Sequence, residues 1–315
     1  MSQPTAARSA LLTVLRWFDT TAGSHAIVPG DEKRVDWLRV VPLVAAHLGC
    51  LLVFVVGWSP VAVFVAIALY ALRMFSITGF YHRYFSHASF RAGRIVQFGM
   101  AVAGASCVQR GPVWWASHHR KHHAHADQPS DPHSPTQHGL LWSHFLWFAS
   151  RNNFPTEHAR VKDLSRFPEL RFLDRFDTLV PALLAASTFG LGVLLERFAP
   201  SLGTNGPQMF VWGFLVSTVV LLHAALSINS LAHGPGDKPY PTRDQSRNSF
   251  WLALLTFGEG WHNNHHRFPS SVRMGFHWWQ VDMTYYGLRA MQALGLIHDL
   301  VPIPAAASMP TSEAA

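Results

Sequence analysis

The 315-residue chain is poor in charge and in cysteine. Lys, Arg, Asp and Glu supply 14% of it, against about 25% in an ordinary soluble domain. Its two cysteines, Cys50 and Cys107, lie far apart and in no CxxC spacing. A disulfide framework and a thiolate metal site are therefore excluded as organising devices. Acidic residues are scarcer than basic ones, leaving a formal charge of +7. Such an excess suits nucleic acid or a membrane surface, and where the basic residues fall decides between them. No internal repeat or linker marks a second domain. No cleaved leader is expected either, because the apolar run Leu11–Phe18 is short, broken by Arg16 and followed by no convincing small-residue cleavage site.

What the chain does have is apolar residues, 49% of the total, and 20 histidines. Four apolar segments, at about 40–56, 60–80, 179–195 and 209–228, approach the roughly 20 residues that cross a bilayer core. The expectation is an all-α integral membrane protein: four transmembrane helices in two hairpins, with a cytosolic helical cap holding a histidine-rich centre. Residues 1–39 are read as a cytosolic N-terminal segment, 40–300 as the membrane domain and 301–315 as a disordered tail. The stretch Ile95–Val108 is short for a crossing and reads as a surface or re-entrant segment. Of the basic residues, only Arg197 falls in a loop expected outside, so both termini and all histidine clusters are placed on the cytoplasmic side. The charge is then a topology signal, and nucleic acid is excluded as a partner. The preference for Arg over Lys hints at a GC-rich bacterial genome, hence a bacterial cytoplasmic membrane. Within the spans, Arg73 reads as a snorkelling side chain, His47 as a packed or hydrogen-bonded core histidine, and His223 as a structural one. Trp114-Trp115 and Trp278-Trp279 read as interfacial anchors.

The histidines are spaced, not scattered. Residues three and four apart share one face of an α-helix, and His262, His265 and His266 follow that rule. So do His119, His122 and His123. Asn229 and His233 add an i, i+4 pair. His82 and His87, five apart, would diverge by about 140° on a straight α-helix and need a helix end or bend to meet. Imidazole is the commonest metal ligand near neutral pH. Nine such side chains (His82, His87, His119, His122, His123, His233, His262, His265 and His266) suit two metals with four or five nitrogens each, with a position open on each. Imidazole suits zinc, copper, iron and nickel alike, so the ligands alone do not name the metal. His25, His47, His158, His223, His277 and His298 are read as structural, and His118 and His125 are left out of the ligand set.

At these residues the chain resembles the membrane fatty acid desaturases, specifically the acyl-CoA (stearoyl-CoA type) Δ9 branch. The matching strings are His82-Arg83-Tyr84-Phe85-Ser86-His87, His119-Arg120-Lys121-His122-His123 and Gly258-Glu259-Gly260-Trp261-His262-Asn263-Asn264-His265-His266. Asp131-Pro132-His133 and Asn229-Ser230-Leu231-Ala232-His233 fit as well. The resemblance implies that the nine histidines bind two iron ions, with Asn229 holding one through a water and Trp115 shaping the substrate tunnel. It implies an O2-dependent cis-desaturation of a saturated acyl chain, the di-iron centre itself doing the chemistry with no separate acid or base. Acyl-CoA is the expected substrate, with acyl-lipid or acyl-carrier protein as other carriers. His118 stands where animal members carry an acidic residue. No built-in haem or flavin is expected, so electrons would come from a separate ferredoxin, cytochrome b5 or flavin reductase. Rival readings keep the centre and change the outcome (hydroxylase, alkane monooxygenase, decarboxylase), or make the chain a histidine-rich metal transporter.

Overall fold

The computed structural model describes residues 6–22 and 33–308. Residues 1–5, 23–32 and 309–315, which include His25 and the end of the expected tail, lie outside the described residues. The path begins with α1 (Ala6–Leu15) and then a first long apolar helix, α2 (Trp37–Val56). Three residues lead from it into α3 (Pro60–Ser86). Ser59 caps α3 by accepting from the Ala62 amide at 3.1 Å, and Pro60 fits the first turn, where no amide partner is needed. The shorter α4 (Arg94–Ala105), α5 (Pro112–His125) and α6 (Pro168–Arg175) follow. Two further long helices are α7 (Leu179–Phe198) and α8 (Gly206–Leu231). After them come α9 (His262–Arg267) and α10 (Met283–Ala293).

Helices α2, α3, α7 and α8 are each long and apolar enough to cross a membrane. Their outward faces are greasy: Phe54 and Val55 on α2 are 86% and 79% exposed. Apolar surface on that scale is stable only where the surroundings are themselves apolar. At 12 residues, α4 reaches about 18 Å, short of the roughly 30 Å hydrocarbon core. The spans run further than the sequence suggests, to residues 37, 86, 198, 206 and 231. At the end of α3 the Arg83 guanidinium is satisfied by Glu259 and Asp282, so it does not terminate the helix.

The continuation of α3 positions the first histidines. Ser76–Ser86 is wound as a π-helix, whose hydrogen bonds run from residue i to i+5. The His87 amide accordingly donates to the His82 carbonyl at 3.3 Å. Wider winding puts residues five apart on one face, and the His82 and His87 rings lie 4.9 Å apart. α4 comes close enough to pack on this segment because residue 104 has no side chain: a Cβ there would lie 2.0 Å from the Tyr81 ring. Around this contact Met74, Phe85, Met100, Leu221 and Leu288 form the main core.

Several expectations are corrected. Arg73 does not snorkel. It is buried, donating to Ser217 Oγ at 2.5 Å and Thr218 Oγ1 at 2.8 Å, because hydroxyls on α8 offer closer acceptors than the interface. Trp114 is not an anchor: it is buried, stacked on Trp147 at 5.7 Å, and its indole N–H donates to Asn153 O at 3.0 Å. His47 is hydrogen-bonded as expected, and its partner is His223: their Nε2 atoms are 2.8 Å apart, and His223 Nδ1 lies 2.9 Å from His144 Nε2. Residues 301–308 are not a loose tail. The Val301 amide donates to Ser89 O at 2.8 Å, and Tyr240 donates to the buried Ala307 carbonyl at 2.7 Å.

Candidate metal centre

Three helices and two helix ends carry the nine histidines: α3, α5 and α9, with His87 just after α3 and His233 just after α8. Distant anchors fix each carrier. The α5 N-terminus is held by Asp174 on α6, whose Oδ1 accepts from the Trp114 amide at 2.7 Å. The turn before α9 packs so tightly that a Cβ at Gly260 would sit 2.1 Å from the Ala253 nitrogen. Between the α9 histidines, two asparagines pin the helix. Asn263 Oδ1 accepts from the Tyr240 amide at 2.8 Å, and Asn264 Oδ1 accepts from Asn248 Nδ2 at 2.7 Å.

The nine imidazoles gather into two adjoining groups. His82, His87, His119, His123 and His265 form one, and His122, His233, His262 and His266 the other; within each, candidate ligand atoms lie within 4.8 Å of one another. Closest approaches run Nε2 to Nε2: 2.8 Å for His87 and His119, 3.0 Å for His82 and His265, 3.0 Å for His265 and His123, and 3.1 Å for His233 and His262.

Carboxylates on the far side of four rings fix which nitrogen faces inward. Nδ1 of His122 lies 2.9 Å from Asp131, that of His233 2.7 Å from Asp127, and that of His266 2.9 Å from Asp244. His82 Nδ1 meets Glu259 Oε2 in the same way. An ionised carboxylate only accepts, so each Nδ1 carries the proton and each Nε2 turns a lone pair inward. Burial pushes His87, His119, His123, His262 and His265 well below the ordinary histidine value, and neighbouring imidazoles add to it. Burial likewise takes His266 down to about 4, against the pull of Asp244. Burial would also lower His122, but Asp131 outweighs it and raises that group.

Convergent lone pairs at such separations repel one another without a cation between them. Two nitrogens bound to one ion at about 2.1 Å and at right angles stand about 3 Å apart, as these do. His266 Nε2 is buried and has no hydrogen-bond partner. The donor set, imidazole nitrogen throughout, therefore fits a pair of nitrogen-preferring transition-metal ions.

A family model for fatty acid desaturases matches residues 56–298. The chain belongs to the fatty acid desaturase family. It is 37% identical over 291 residues to palmitoyl-monogalactosyldiacylglycerol delta-7 desaturase, a chloroplastic protein of Arabidopsis thaliana (88% of this chain, 74% of that one). Identity to the acyl-CoA 5-desaturase of Anemone leveillei is 35% over 296 residues (90% and 87%). Identity to the sn-1 stearoyl-lipid 9-desaturase of Anabaena variabilis is 33% over 273 residues (86% and 95%). The protein is thus an oxidoreductase of fatty acyl chains, and its histidine clusters belong to a family that is generally di-iron.

Beside the clusters the desaturase has a cavity of about 320 Å³, a size typical of small-molecule sites. Met74, Ile77, Leu222 and Leu226 give it apolar walls, while His82, His119, His122, His233 and His262 line its metal-facing side. Asn229 and Trp115 line it too. The Trp115 ring stacks on His119 with centroids 4.9 Å apart. His118 stays outside both groups, its Nε2 3.2 Å from Pro155 O, and burial takes it down to about 3.

Sequence reasoning missed the four carboxylates. Two were in view, Asp131 in the Asp-Pro-His string and Glu259 in the third histidine string, without a role. Asp127 and Asp244 stand 106 and 22 residues from the histidines they hold, with no local spacing to announce them.

Proposed function

We propose that this chain is an O2-dependent di-iron acyl desaturase that inserts a cis double bond, Δ9 in position, into a saturated acyl chain carried by coenzyme A. The observation that supports it most is a largely apolar cavity lined, beside its aliphatic walls, by histidines of both groups. His82, His87, His119, His123 and His265 would hold one iron; His122, His233, His262 and His266 would hold the other, with Asn229 reaching it through a water. The irons, when bound, supply the redox chemistry that activates O2 for hydrogen removal.

The protein's own residues do the rest. Asp127, Asp131, Asp244 and Glu259 keep the imidazoles oriented and neutral on the inward side. An alkyl chain offers no polar handle at mid-length, so the walls around Trp115, Ile77 and Leu222 must set which carbons face the irons. Burial excludes water from the reacting methylenes. The spans form two hairpins with both termini, the histidine groups and the membrane domain 40–300 opening to the cytoplasm of a bacterial cell. Electrons come from a separate donor, a ferredoxin, cytochrome b5 or flavin reductase.

The test is expression in a host lacking unsaturated fatty acids, followed by location of any new double bond. The wild-type chain should give a cis-9 product, and His265→Ala none. A hydroxylated or chain-shortened product would replace this reading, and activity retained in His265→Ala would end it.

A further inference from the structure

Three histidines outside the metal centre meet at membrane depth. His47 lies about 15 Å along α2 from Trp37, and His223 about 12 Å along α8 from Leu231. His144 reaches them from the short turn Trp142–Leu146. His223 is exposed on the outer face of α8, one turn from Val220, itself 49% exposed, so it faces lipid. The Leu43 carbonyl, 2.7 Å from His47 Nδ1, can only accept, so that nitrogen carries the proton and Nε2 a lone pair. His223 Nε2–H then donates to His47 Nε2 at 2.8 Å, and His144 Nε2–H donates to His223 Nδ1 at 2.9 Å. The Ser230 hydroxyl, 2.9 Å from His144 Nδ1, completes the series. Because the middle ring is bridged through both its nitrogens, the three form a hydrogen-bonded chain and not a chelate.

That chain runs along one wall of the cavity. Pro42, Leu43 and Ala46 of α2 line the inside, as do Leu222 and Ala225 of α8. His47 and His223 directly follow Ala46 and Leu222 in sequence. Further along α2 the two helices pack closely, since a Cβ at Gly49 would lie 2.8 Å from the Leu215 side chain. Towards its start, Pro42 lacks the amide that would bond to the Leu38 carbonyl, which weakens the helix there. Between this soft point and that close contact, α2 is tied to α8 by the bond from His223 to His47. Apolar side chains would seal such a seam more cheaply than imidazoles facing hydrocarbon, and ionisable groups at this depth mark function. A hydrogen bond, unlike continuous apolar packing, gives the seam a made state and a broken one.

We propose that the seam between α2 and α8 is a lateral passage between the cavity and the bilayer, latched by His47, His223 and His144. An acyl chain crossing there moves from one apolar medium to another without hydrating its methylenes. The inference rests on the reading that the cavity holds an acyl chain, and adds the route by which the chain enters or leaves.

The experiment follows exchange of radiolabelled oleate, chased with excess unlabelled oleate, from the iron-loaded full chain in phospholipid nanodiscs without reductant. In a background with Cys50 and Cys107 replaced by serine, His47→Cys and His223→Cys are joined by a reducible bifunctional thiosulfonate. The link should slow exchange about 10-fold or more at an affinity changed by less than about twofold, because a barrier acts on entry and exit alike. Reducing the link should restore the rate. Breaking the latch with His47→Ala or His223→Phe should instead speed exchange about three- to tenfold, the effect of losing one net hydrogen bond. These two variants decide the matter if the double-cysteine chain does not fold. Exchange that ignores the link, or a lowered melting temperature in both single variants with an unchanged exchange rate, would make the chain a structural clasp and overturn the passage. Oleate that fails to saturate the wild-type chain would overturn the functional reading on which the passage rests.

Discussion

Asp244 illustrates how much a single carboxylate does here. It lies behind His266, touches no substrate, and keeps the ring's proton on Nδ1 so that Nε2 faces the cluster. Asp244→Asn preserves the shape but no longer demands a donated proton, so the imidazole is free to take the wrong tautomer. Removal of such a partner typically weakens metal binding 10- to 100-fold. Iron per chain after dialysis against a weak chelator should fall accordingly, while elution volume is unchanged; full iron retention would show that the pair is idle. Asp177 allows a second residue-level prediction. Burial raises its carboxyl to about 6, with Arg110 offsetting only part of that. Between about pH 4 and 6 the folded state keeps this proton while the unfolded state has lost it, so stability falls as pH rises through the window. Against an ordinary aspartate this corresponds to about 3 kcal/mol. Relative to wild type, the melting temperature of Asp177→Asn should therefore climb from pH 4 to pH 7. A flat difference would contradict the assignment.

Among elements, the π-wound end of α3 does what sequence spacing alone could not disclose. The 82/87 pair has the wrong interval for an α-helix, and a bend or helix end is the natural expectation. The structure instead widens the helix, so both histidines leave from one continuous segment. That winding is supported from outside by α4, which approaches over Gly104 until it meets the Tyr81 ring. Gly104→Val should push Tyr81, and His82 beside it, out of register. Overpacking of this kind costs about 1–3 kcal/mol. Lowered thermal stability together with a larger fractional loss of activity is expected; an unchanged melting temperature would mean that α4 simply moves aside. The α5 and α9 triplets were legible because i, i+3, i+4 spacing suffices on an ordinary helix.

For the whole molecule, the arrangement requires that segments far apart in the chain end on one side of the membrane. In the proposed topology, positive-inside bias puts that side in the cytoplasm. With Cys50 and Cys107 first replaced by serine, cysteines at two exposed positions report it. An impermeant maleimide should label Ser201→Cys in intact cells and Lys162→Cys only after permeabilisation. The opposite pattern would reverse the topology, and labelling of both from outside would break it.

The sequence by itself determined the membrane helices, the nine histidines and the family. Those rest on local properties: runs of apolar residues long enough for a bilayer, and repeats that match a helical turn. It misjudged the side chains whose role depends on a distant partner. Arg73 looked like a snorkelling cation, Trp114 like an anchor and residues 301–308 like a tail, because their acceptors and packing partners come from other segments. Only the tertiary structure decided which carboxylate stands behind which imidazole, and that Arg39 and Arg110 both lie against Phe154. Burial makes those pairings matter, since an unpaired charge or lone pair is tolerable in water and costly inside a protein.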